Sequence, residues 1–467
     1  MASIDSPNHC IVHPLGNDLN GGGFCTQPIG TPGIDWSQQN GPMHAGTDLV
    51  HDTADSEYVI PLSQAGAPDP NAVGNWINVY SGSGWVLGRG QIRAIVARAT
   101  ITGGQAYRIS WDAAPTFPGT QATYRIGGAL ATPGELNNLF LSYTRIFIQA
   151  GTYLLTTSTP GPAGPVQLDN MVGGHVEPYV ATPGDYTPFV DWVTIDAGAQ
   201  TGIDLWKHLN TSGIRQTLTL GVVADGKNGA GNNGFRSTGA DNTVMVCQAL
   251  GCPGDGYYRE KTFFCLADGC GVGFYGNTYR SYCEAMNSLT HGFYTGIALA
   301  HCISHHNGTN GYEEVGQGYP VLRCIAAHNG QDGFDEGGTA NLIECISAEN
   351  GRYGYATGMA SILTRCADFN NALGRWNRTP YPAGAGTRDL WPMNLAANPW
   401  LASASGDFRL DPTGPDYALL RAMGWGNQLQ TEAPDINALM EVCSPAGGGG
   451  GVGPAIQRVS GPASRQW

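Results

Sequence analysis

The sequence predicts an all-β protein whose main part is a parallel β-helix, and two observations lead to this prediction. The first is a phrase that occurs three times, as HCISHHNGTNGY (301–312), RCIAAHNGQDGF (323–334) and ECISAENGRYGY (344–355). The second is its period, because seven cysteines follow one another at steps of 18, 18, 19, 22, 21 and 21 residues. Helical repeats need units of about 33 to 47 residues and an apolar stripe of period 3.6, which these coils lack. The repeating cysteines are Cys247, Cys265, Cys283, Cys302, Cys324, Cys345 and Cys366.

Alternation within each coil predicts which side chains point into the stack. Positions −2, 0 and +2 from each cysteine are small or apolar, so we expect them inside, with the residues between them outside. Equivalent residues of successive coils lie about 4.8 Å apart. We therefore expect a ladder of buried cysteines and a ladder of asparagine amides, with glycine at the positive-φ corners. The −2 set includes Phe263, Leu322 and Ile343, the outward charges are His301, Arg323, Glu344 and Arg365, and the amide ladder is Asn307, Asn329 and Asn350.

Changes in composition and strand pattern along the chain predict five segments. Residues 1–44, with HPLGNDLNGGGF, are expected to form an N-terminal cap leading into the β-helix. Residues 45–128 contain four longer strand-like runs, enough for a small β-sandwich or barrel inserted before the main stack. Coils are expected over 129–397, and a closing coil with a short helix over 398–426. The Gly-rich segment 427–467 is expected to be a flexible tail.

Composition argues against several classes of protein. A net charge of −14 with only three lysines argues against a nucleic-acid partner. No run of 18 apolar residues occurs, so no membrane span is expected, and the start MASIDSPNHC lacks the features of a secretory signal. The seven repeating cysteines are expected to be reduced, because successive Cβ atoms lie about 4.8 Å apart, slightly beyond the usual disulfide range. Cys252 and Cys270 are placed to stack at one corner, where a disulfide is an alternative.

The repeats resemble the right-handed parallel β-helix of the pectate-lyase-like superfamily, and GNDLNGGGF near the start with GDFRLDPTGP near the end is similar to many bacterial and phage β-helix proteins. The runs GTDLV, VGNWINVYSGSGWVLGRGQI and YRIGGAL resemble a small domain found at the front of phage and environmental β-helix proteins. The resemblance implies a right-handed solenoid with an inserted β domain, and often polysaccharide lyase or hydrolase activity. The lyase pattern of an Arg or Lys base facing acidic Ca²⁺ ligands has no residue-by-residue match here, so no catalytic residue is carried over.

Two polar clusters are candidates for chemistry. Four carboxylates lie at equivalent positions of adjacent coils. There they could raise one another's pKa for general acid catalysis, hold Ca²⁺ or flank a glycosidic bond. The alternative is that they form a solvated acidic face. They are Glu313, Glu314, Asp335 and Glu336. A second column could share a metal ion, or else consist of exposed turn residues beside the amide ladder. That column is His306, His328 and Glu349.

Apolar and aromatic columns suggest surfaces. Aliphatic residues at +1 are predicted to form an outward ridge, which loops, the C-terminal segment or another subunit would cover. The ridge is Leu266, Ile303, Ile325 and Ile346. Four tyrosines would line a groove on which sugars could stack, namely Tyr257, Tyr258, Tyr275 and Tyr279.

The sequence leaves two main functions open. The first is a structural protein of a bacteriophage virion, such as a decoration, head-fibre or tail-spike component, assembled in the host cytoplasm. It would associate with other virion proteins and with itself, as a trimer by analogy. The alternative is an extracellular or cell-surface carbohydrate-active enzyme, a tailspike depolymerase or pectate-lyase-like enzyme acting on a host-surface glycan; a surface filament subunit is a third possibility. No cofactor is expected, although the carboxylate cluster leaves Ca²⁺ as an alternative.

Overall fold

The chain forms a right-handed parallel β-helix with a small closed barrel inserted near its N-terminus. The structure is a computed structural model and describes most of the chain up to residue 422. The described residues are 9–24, 37, 39–80, 86–111, 115–117, 121–138, 145–161, 163–169, 174–209, 217–227, 229–239, 242–314, 319–337, 340–357, 361–377, 393–405 and 407–422. The predicted tail, 427–467, lies outside them.

Three long sheets make up the solenoid, and each coil contributes one short strand to each sheet. All neighbours in these sheets pair in parallel except the first two strands of the twelve-stranded sheet. That sheet contains, in spatial order, Gly23–Phe24, His9–Val12, Arg145–Gln149, His175–Tyr179, Leu218–Leu220, Thr243–Met245, Lys261–Phe263, Tyr279–Ser281, Ala298–Ala300, Pro320–Leu322, Asn341–Ile343 and Ile362–Thr364. The eleven-stranded sheet contains Gly151–Leu154, Val193–Asp196, Val222–Asp225, Gln248–Leu250, Leu266–Asp268, Glu284–Met286, Ile303–His305, Ile325–Ala327, Ile346–Ala348, Ala367–Phe369 and Met393–Asn394. The ten-stranded sheet contains Val166–Asp169, Asp204–Leu209, Asn233–Ser237, Asp255–Tyr258, Val272–Tyr275, Phe293–Tyr294, Tyr312–Glu313, Phe334–Glu336, Tyr353–Thr357 and Gly374–Trp376.

The corner before each cysteine breaks the predicted alternation. The residue at −1 has a left-handed backbone in all seven coils, with φ between 51° and 56°. Because the chain turns there, position −3 points inward and position −2 lies on the outside, so the inward assignment of Phe263, Leu322 and Ile343 is wrong. Positions 0 and +2 are buried as predicted, for example at Cys345 and Ser347.

Most of these corners are not glycines, contrary to the prediction. Every −1 residue has a side chain, and the second corner, at +4, uses glycine only in its first two coils, at Gly251 and Gly269. The left-handed conformation costs a residue with a Cβ roughly 1–2 kcal/mol, so the hydrogen bonds and burial of the stack must offset that cost. The other +4 residues are Asn287, His306, His328, Glu349 and Asn370.

Stacked side chains fill the interior. The seven repeating cysteines are at most 2% exposed, and they and Cys252 and Cys270 are free thiols. In the amide ladder the Nδ2 of Asn307 donates to the Oδ1 of Asn329 at 2.9 Å, and Asn329 donates to Asn350 at 2.9 Å. Asn371 adds a further rung, which accepts from Asn350 at 2.7 Å. An aromatic stack with ring centroids 4.7–5.3 Å apart runs beside it, through Phe235, Tyr257, Phe274, Phe293, Tyr312, Phe334 and Tyr355.

The inserted domain is a closed antiparallel barrel of six strands, two more than the four runs recognised in the sequence. In barrel order the strands are His44–Asp52, Asp55–Pro61, Gln105–Trp111, Val86–Ala97, Trp76–Tyr80 and Ala122–Ile126. The GNDLNGGG segment joins the barrel to the solenoid. Arg89 of the barrel donates to the carbonyl of Gly21 at 2.6 Å, and the buried Asn20 amide donates to the carbonyl of Ala129 at 2.9 Å.

A C-terminal strap, defined here as residues 393–405 and 407–422, covers the outer face of the last strands of the eleven-stranded sheet, from Ile303–His305 onward. It contains a hairpin of Trp400–Ala402 and Asp407–Leu410 and a helix, Tyr417–Ala422. Short 3₁₀ helices occur at Leu62–Gln64, Pro70–Ala72, Pro133–Asn138 and Ser403–Ser405. Among the described residues, no helix combines the length and apolar character that crossing a membrane requires.

The strap explains the predicted ridge. Ile303, Ile325 and Ile346 are at most 2% exposed and pack against Leu395, Trp400 and Leu420 in a core separate from the solenoid interior. Leu266 does not belong to this core. It is only half-buried, and Glu284 stands between it and Ile303 in the same column. The continuous four-residue ridge is therefore wrong at its first member, and the chain itself covers the other three.

Candidate functional site

The outer face of the ten-stranded sheet carries two polar rows that run along the solenoid. In the first, called the tyrosine–acid row, neighbours are paired in register. It consists of Lys207, Arg236, Tyr258, Tyr275, Tyr294, Glu313, Asp335 and Ala356. The second, called the amide–acid row, lies three residues earlier in the chain, at Asp204, Asn233, Asp255, Val272, His291, Asn310, Asp332 and Tyr353. Two of its members, Asn310 and Asp332, are buried, at 3% and 1% exposure. Seven intervals of about 4.8 Å make this face about 34 Å long.

Glu313 and Asp335 form a carboxyl pair in this face. They are in-register neighbours on adjacent strands, and both accept a hydrogen bond from the same Nδ2 of Asn310, at 2.9 and 3.1 Å. The two accepting oxygens are therefore at most about 6 Å apart, a limit that allows the roughly 5–5.5 Å carboxyl spacing of a double-displacement glycosidase. His291 lies on the opposite side of Glu313, with its Nδ1 2.7 Å from Oε2.

Burial raises the pKa of both carboxyls. For Glu313 the largest cause is desolvation; the hydrogen bond from Asn310 opposes it, and the charges of Glu314 and Asp332 raise the pKa further. Desolvation also raises the pKa of Asp335, the charges of Asp332 and Glu313 raise it further, and Arg352 and the hydrogen bond from Asn310 oppose the shift. Desolvation lowers the pKa of His291, so its imidazole stays neutral at lower pH than usual. A pair with these environments can hold one proton at a pH at which ordinary carboxyls have lost theirs.

The other two predicted carboxylates have different positions. Glu314 occupies a left-handed corner, at φ 50°, just after the strand, where its charge raises the pKa of Glu313 and of Tyr294. Glu336 is 2% exposed and lies in register with Thr357. The structure therefore brings together two of the four predicted acids.

The predicted tyrosine groove is only partly present. Tyr257 belongs to the interior stack and is 1% exposed, so its assignment to a groove is wrong. Tyr279 lies on the twelve-stranded sheet. Tyr258 and Tyr275 do lie side by side on the polar face, with rings 5.1 Å apart and nearly parallel, and Tyr294 continues the column with a tilted ring. Because the first two rings cover each other's faces, they present edges and hydroxyls rather than flat stacking surfaces.

The histidine column anchors the strap. His328 Nε2 lies 2.9 Å from Ser403 Oγ and 3.1 Å from Glu349 Oε2, and Asn398 donates to Glu349 at 3.0 Å. His306 stacks on His328 with ring centroids 4.9 Å apart. Ser403 and Glu349 both contact the same ring nitrogen of His328. In a serine–histidine–acid relay the serine contacts one ring nitrogen and the acid contacts the other. This cluster is therefore suited to holding the strap, not to nucleophilic catalysis.

Neither predicted cluster, as the structure places it, has the arrangement of ligands that a metal ion requires. Over the described ranges, no three His, Cys, Asp or Glu side chains are arranged so that they could hold a metal ion. Metal binding by His306, His328 and Glu349, and Ca²⁺ binding by the four predicted carboxylates, therefore remain predictions that this arrangement of side chains does not support.

One group on the polar face was missed by the sequence analysis. Asp255 lies in the amide–acid row, and burial raises its pKa to about 6, with Arg236 opposing the shift and Asp204 adding to it. The backbone N–H of Asp255 donates to Oδ1 of Asn233 at 2.8 Å, and this hydrogen bond holds Asp255 against the preceding coil. The signal that could have found it is its place three residues before Tyr258, the spacing that also relates Asn310 to Glu313.

Comparisons with known proteins found similarity only among solved structures. No protein-family model and no curated protein matches the sequence. The chain is similar to the A-module of mannuronan C-5 epimerase AlgE4 of Azotobacter vinelandii at 14% identity and a TM-score of 0.31, over 49% of this chain and 70% of that one. It is similar to the ORF18 protein of Geobacillus virus E2 at 11% identity and a TM-score of 0.32, over 53% of this chain and 55% of that one. It is also similar to pectate lyase Pel9A at 14% identity and a TM-score of 0.34, over 61% of this chain and 85% of that one.

Proposed function

We propose that this β-helix binds an extended polysaccharide along the outer face of its ten-stranded sheet and cleaves it at Glu313 and Asp335. The observation that carries the proposal is the carboxyl pair itself, two in-register acids joined by one asparagine amide, with the pKa of each raised by burial. The coil spacing of about 4.8 Å is comparable to the length of one hexose unit in an extended chain, so one sugar would lie on each coil.

The surroundings of the two acids assign different roles to them. Glu313 has no cation that lowers its pKa, so it is the general acid and protonates the glycosidic oxygen as the bond to the anomeric carbon breaks. Arg352 favours the charged form of Asp335, which attacks the anomeric carbon and forms a glycosyl ester. Water then hydrolyses the ester, with Glu313 as the base that takes the proton from this water. The net reaction consumes one water molecule for each bond cleaved.

The test is a reducing-end assay on a panel of bacterial-surface and plant polysaccharides. We expect the wild type to release reducing ends from at least one of them, and Glu313→Gln to lower the rate by about 10²- to 10⁴-fold. Asp335→Asn should have a similar effect. The matched control is Glu57→Gln, which changes an exposed barrel carboxylate and should leave the rate unchanged. A wild type that releases no reducing ends from any member of the panel would contradict the proposal.

A structural role in a phage virion is the second candidate, and the continuous internal ladders favour it. Cysteine, amide and aromatic columns run through successive coils without interruption, as a stiff rod requires. In this role the chain would assemble with itself, as a trimer by analogy, and with other virion proteins. Size-exclusion chromatography with light scattering tests it: a stable oligomer supports the role, and a monomer at micromolar concentration opposes it.

A further inference from the structure

The polar face changes charge along its length. At its C-terminal end stand the carboxyls of Glu313 and Asp335, while Asp332 is buried and paired with Arg352. At its N-terminal end stand Lys207 and Arg236, together with the carboxyls of Asp204 and Asp255. Arg259 adds a third cation there, directly after Tyr258. The chain as a whole has a net charge of −14, whereas at this end three cations outnumber two carboxyls, so we call this end the basic patch.

Two guanidinium groups in this patch flank one aromatic ring. The Arg236 and Arg259 guanidinium carbons each lie 5.2 Å from the centroid of the Tyr258 ring. Arg236 is held by Asp204 at 3.4 Å, and Lys207 contacts the same carboxylate at 3.4 Å. Arg259 is exposed, and none of the carboxylates that the structure describes lies within ion-pair distance of it. The cation–π contact positions this charge while leaving its hydrogen-bond donors available.

The distance between the basic patch and the carboxyl pair sets the number of sugar units that separate an anionic substituent from the cleaved bond. Tyr258, Tyr275, Tyr294 and Glu313 are successive members of one row, so three coil intervals of about 4.8 Å, roughly 14 Å in total, separate the basic patch from the acid. A glycan with one sugar on each coil would place its reacting bond at Glu313 and a sugar about three units away beside Arg259.

We propose that Arg259, with Arg236, binds an anionic substituent of the glycan, a carboxylate, sulfate or phosphate, about three sugar units from the cleaved bond. This inference rests on the proposed function for its register, since Glu313 defines the reacting position. The binding site itself does not depend on cleavage. Because the chain as a whole is acidic, it repels polyanions at long range, so the binding of an anionic glycan must come from local contacts with these arginines.

The experiment measures binding in the Glu313→Gln background, so that cleavage plays no part. The probes are three anionic glycans, each with a neutral partner: polygalacturonate with its methyl ester, carboxymethylcellulose with hydroxyethylcellulose, and dextran sulfate with dextran. Arg259→Gln is compared with Arg259→Lys and with Arg108→Gln, which removes an exposed arginine paired with Glu57 on the barrel. Affinity gel electrophoresis and titration calorimetry give the dissociation constants.

We expect at least one anionic glycan to bind more tightly than its neutral partner, and Arg259→Gln to weaken that binding by about 5- to 20-fold. Arg259→Lys should retain part of it, and Arg108→Gln should have no effect. The inference is overturned if no anionic glycan binds better than its partner, or if the two glutamine variants weaken binding equally. Absence of cleavage by the wild type would instead count against the proposed function and leave the binding result intact.

Discussion

Replacing Asn329 by alanine removes the middle rung of the amide ladder. The side chain is 2% exposed and makes four hydrogen bonds. Its Nδ2 donates to Asn350 Oδ1 at 2.9 Å and to the carbonyl of Ser304 at 3.2 Å, and its Oδ1 accepts from the side chain and the backbone N–H of Asn307 at 2.9 and 3.2 Å. The backbone groups of Asn307 and Ser304 lose these partners inside the stack, where each unsatisfied group costs about 1–3 kcal/mol. We expect a loss of about 2–6 kcal/mol in the free energy of unfolding.

Chemical unfolding followed by fluorescence measures this loss, and hydrogen exchange read by mass spectrometry locates it. Exchange should become faster at residues 301–357, on the coils next to the missing rung. Asn341→Ala is the control, because Asn341 is half-buried on the outer face of the twelve-stranded sheet, and it should change stability by less than about 0.5 kcal/mol. Equal stability of the two variants, with unchanged exchange in the stack, would refute the assignment of stability to the ladder.

Three further predictions concern charge and the strap. The pKa of Asp255 is raised from 3.8 to about 6 by burial, so this group destabilises the fold as the pH rises from about 4 through 6 and adds no further loss above that. Asp255→Asn should restore up to about 3 kcal/mol at pH 7.5 and nothing at pH 3.5 in thermal melts, and an equal gain at both would contradict this. Glu344 is 2% exposed and paired with the arginines on the coils either side, so Glu344→Gln should cost about 3 kcal/mol in chemical unfolding, and a cost below about 0.5 would show that the charge is dispensable. Ile325→Asp should release the strap and make residues 393–422 sensitive to limited proteolysis, whereas Ile362→Asp at an exposed position should not; equal cleavage of both variants would show that the buried ridge does not hold the strap.

The repeat made the fold predictable because each coil places the same residue type at the same position. The cysteine spacing identifies one corner of every coil, and the three asparagines at +5 identify a second row. Both follow from the requirement that stacked side chains fit a fixed spacing of about 4.8 Å. The closed barrel was harder to recognise, since strands of the N-terminal insert have no repeat to align them.

The errors arose where sequence distance does not give direction in space. A left-handed residue before each cysteine turns the chain, so strict alternation placed Ile343 on the wrong side. Ordinary strand alternation puts Tyr257 inside while its neighbour Tyr258 faces out, and grouping the tyrosines by residue type missed this. The cover over Ile325 comes from residues about 70 positions later, which no local pattern reveals. Asp255 was missed because its environment is made by strands of two earlier coils.

Coil length varies mainly at one corner, the one after the ten-stranded sheet. From the strand that ends at Tyr258 onward, 2, 3, 3, 6, 4 and 4 residues lie between that sheet and the next strand of the twelve-stranded sheet. The strand before each cysteine keeps its offset, and the distance from cysteine to stacked aromatic is ten residues in every coil except the one that starts at Cys265, where it is nine. Insertions at this corner would therefore change the edge of the polar face beside Glu313 without displacing the stacked cysteines, amides or aromatic rings. A new ligand preference could arise there by loop exchange alone, with the scaffold left as it is.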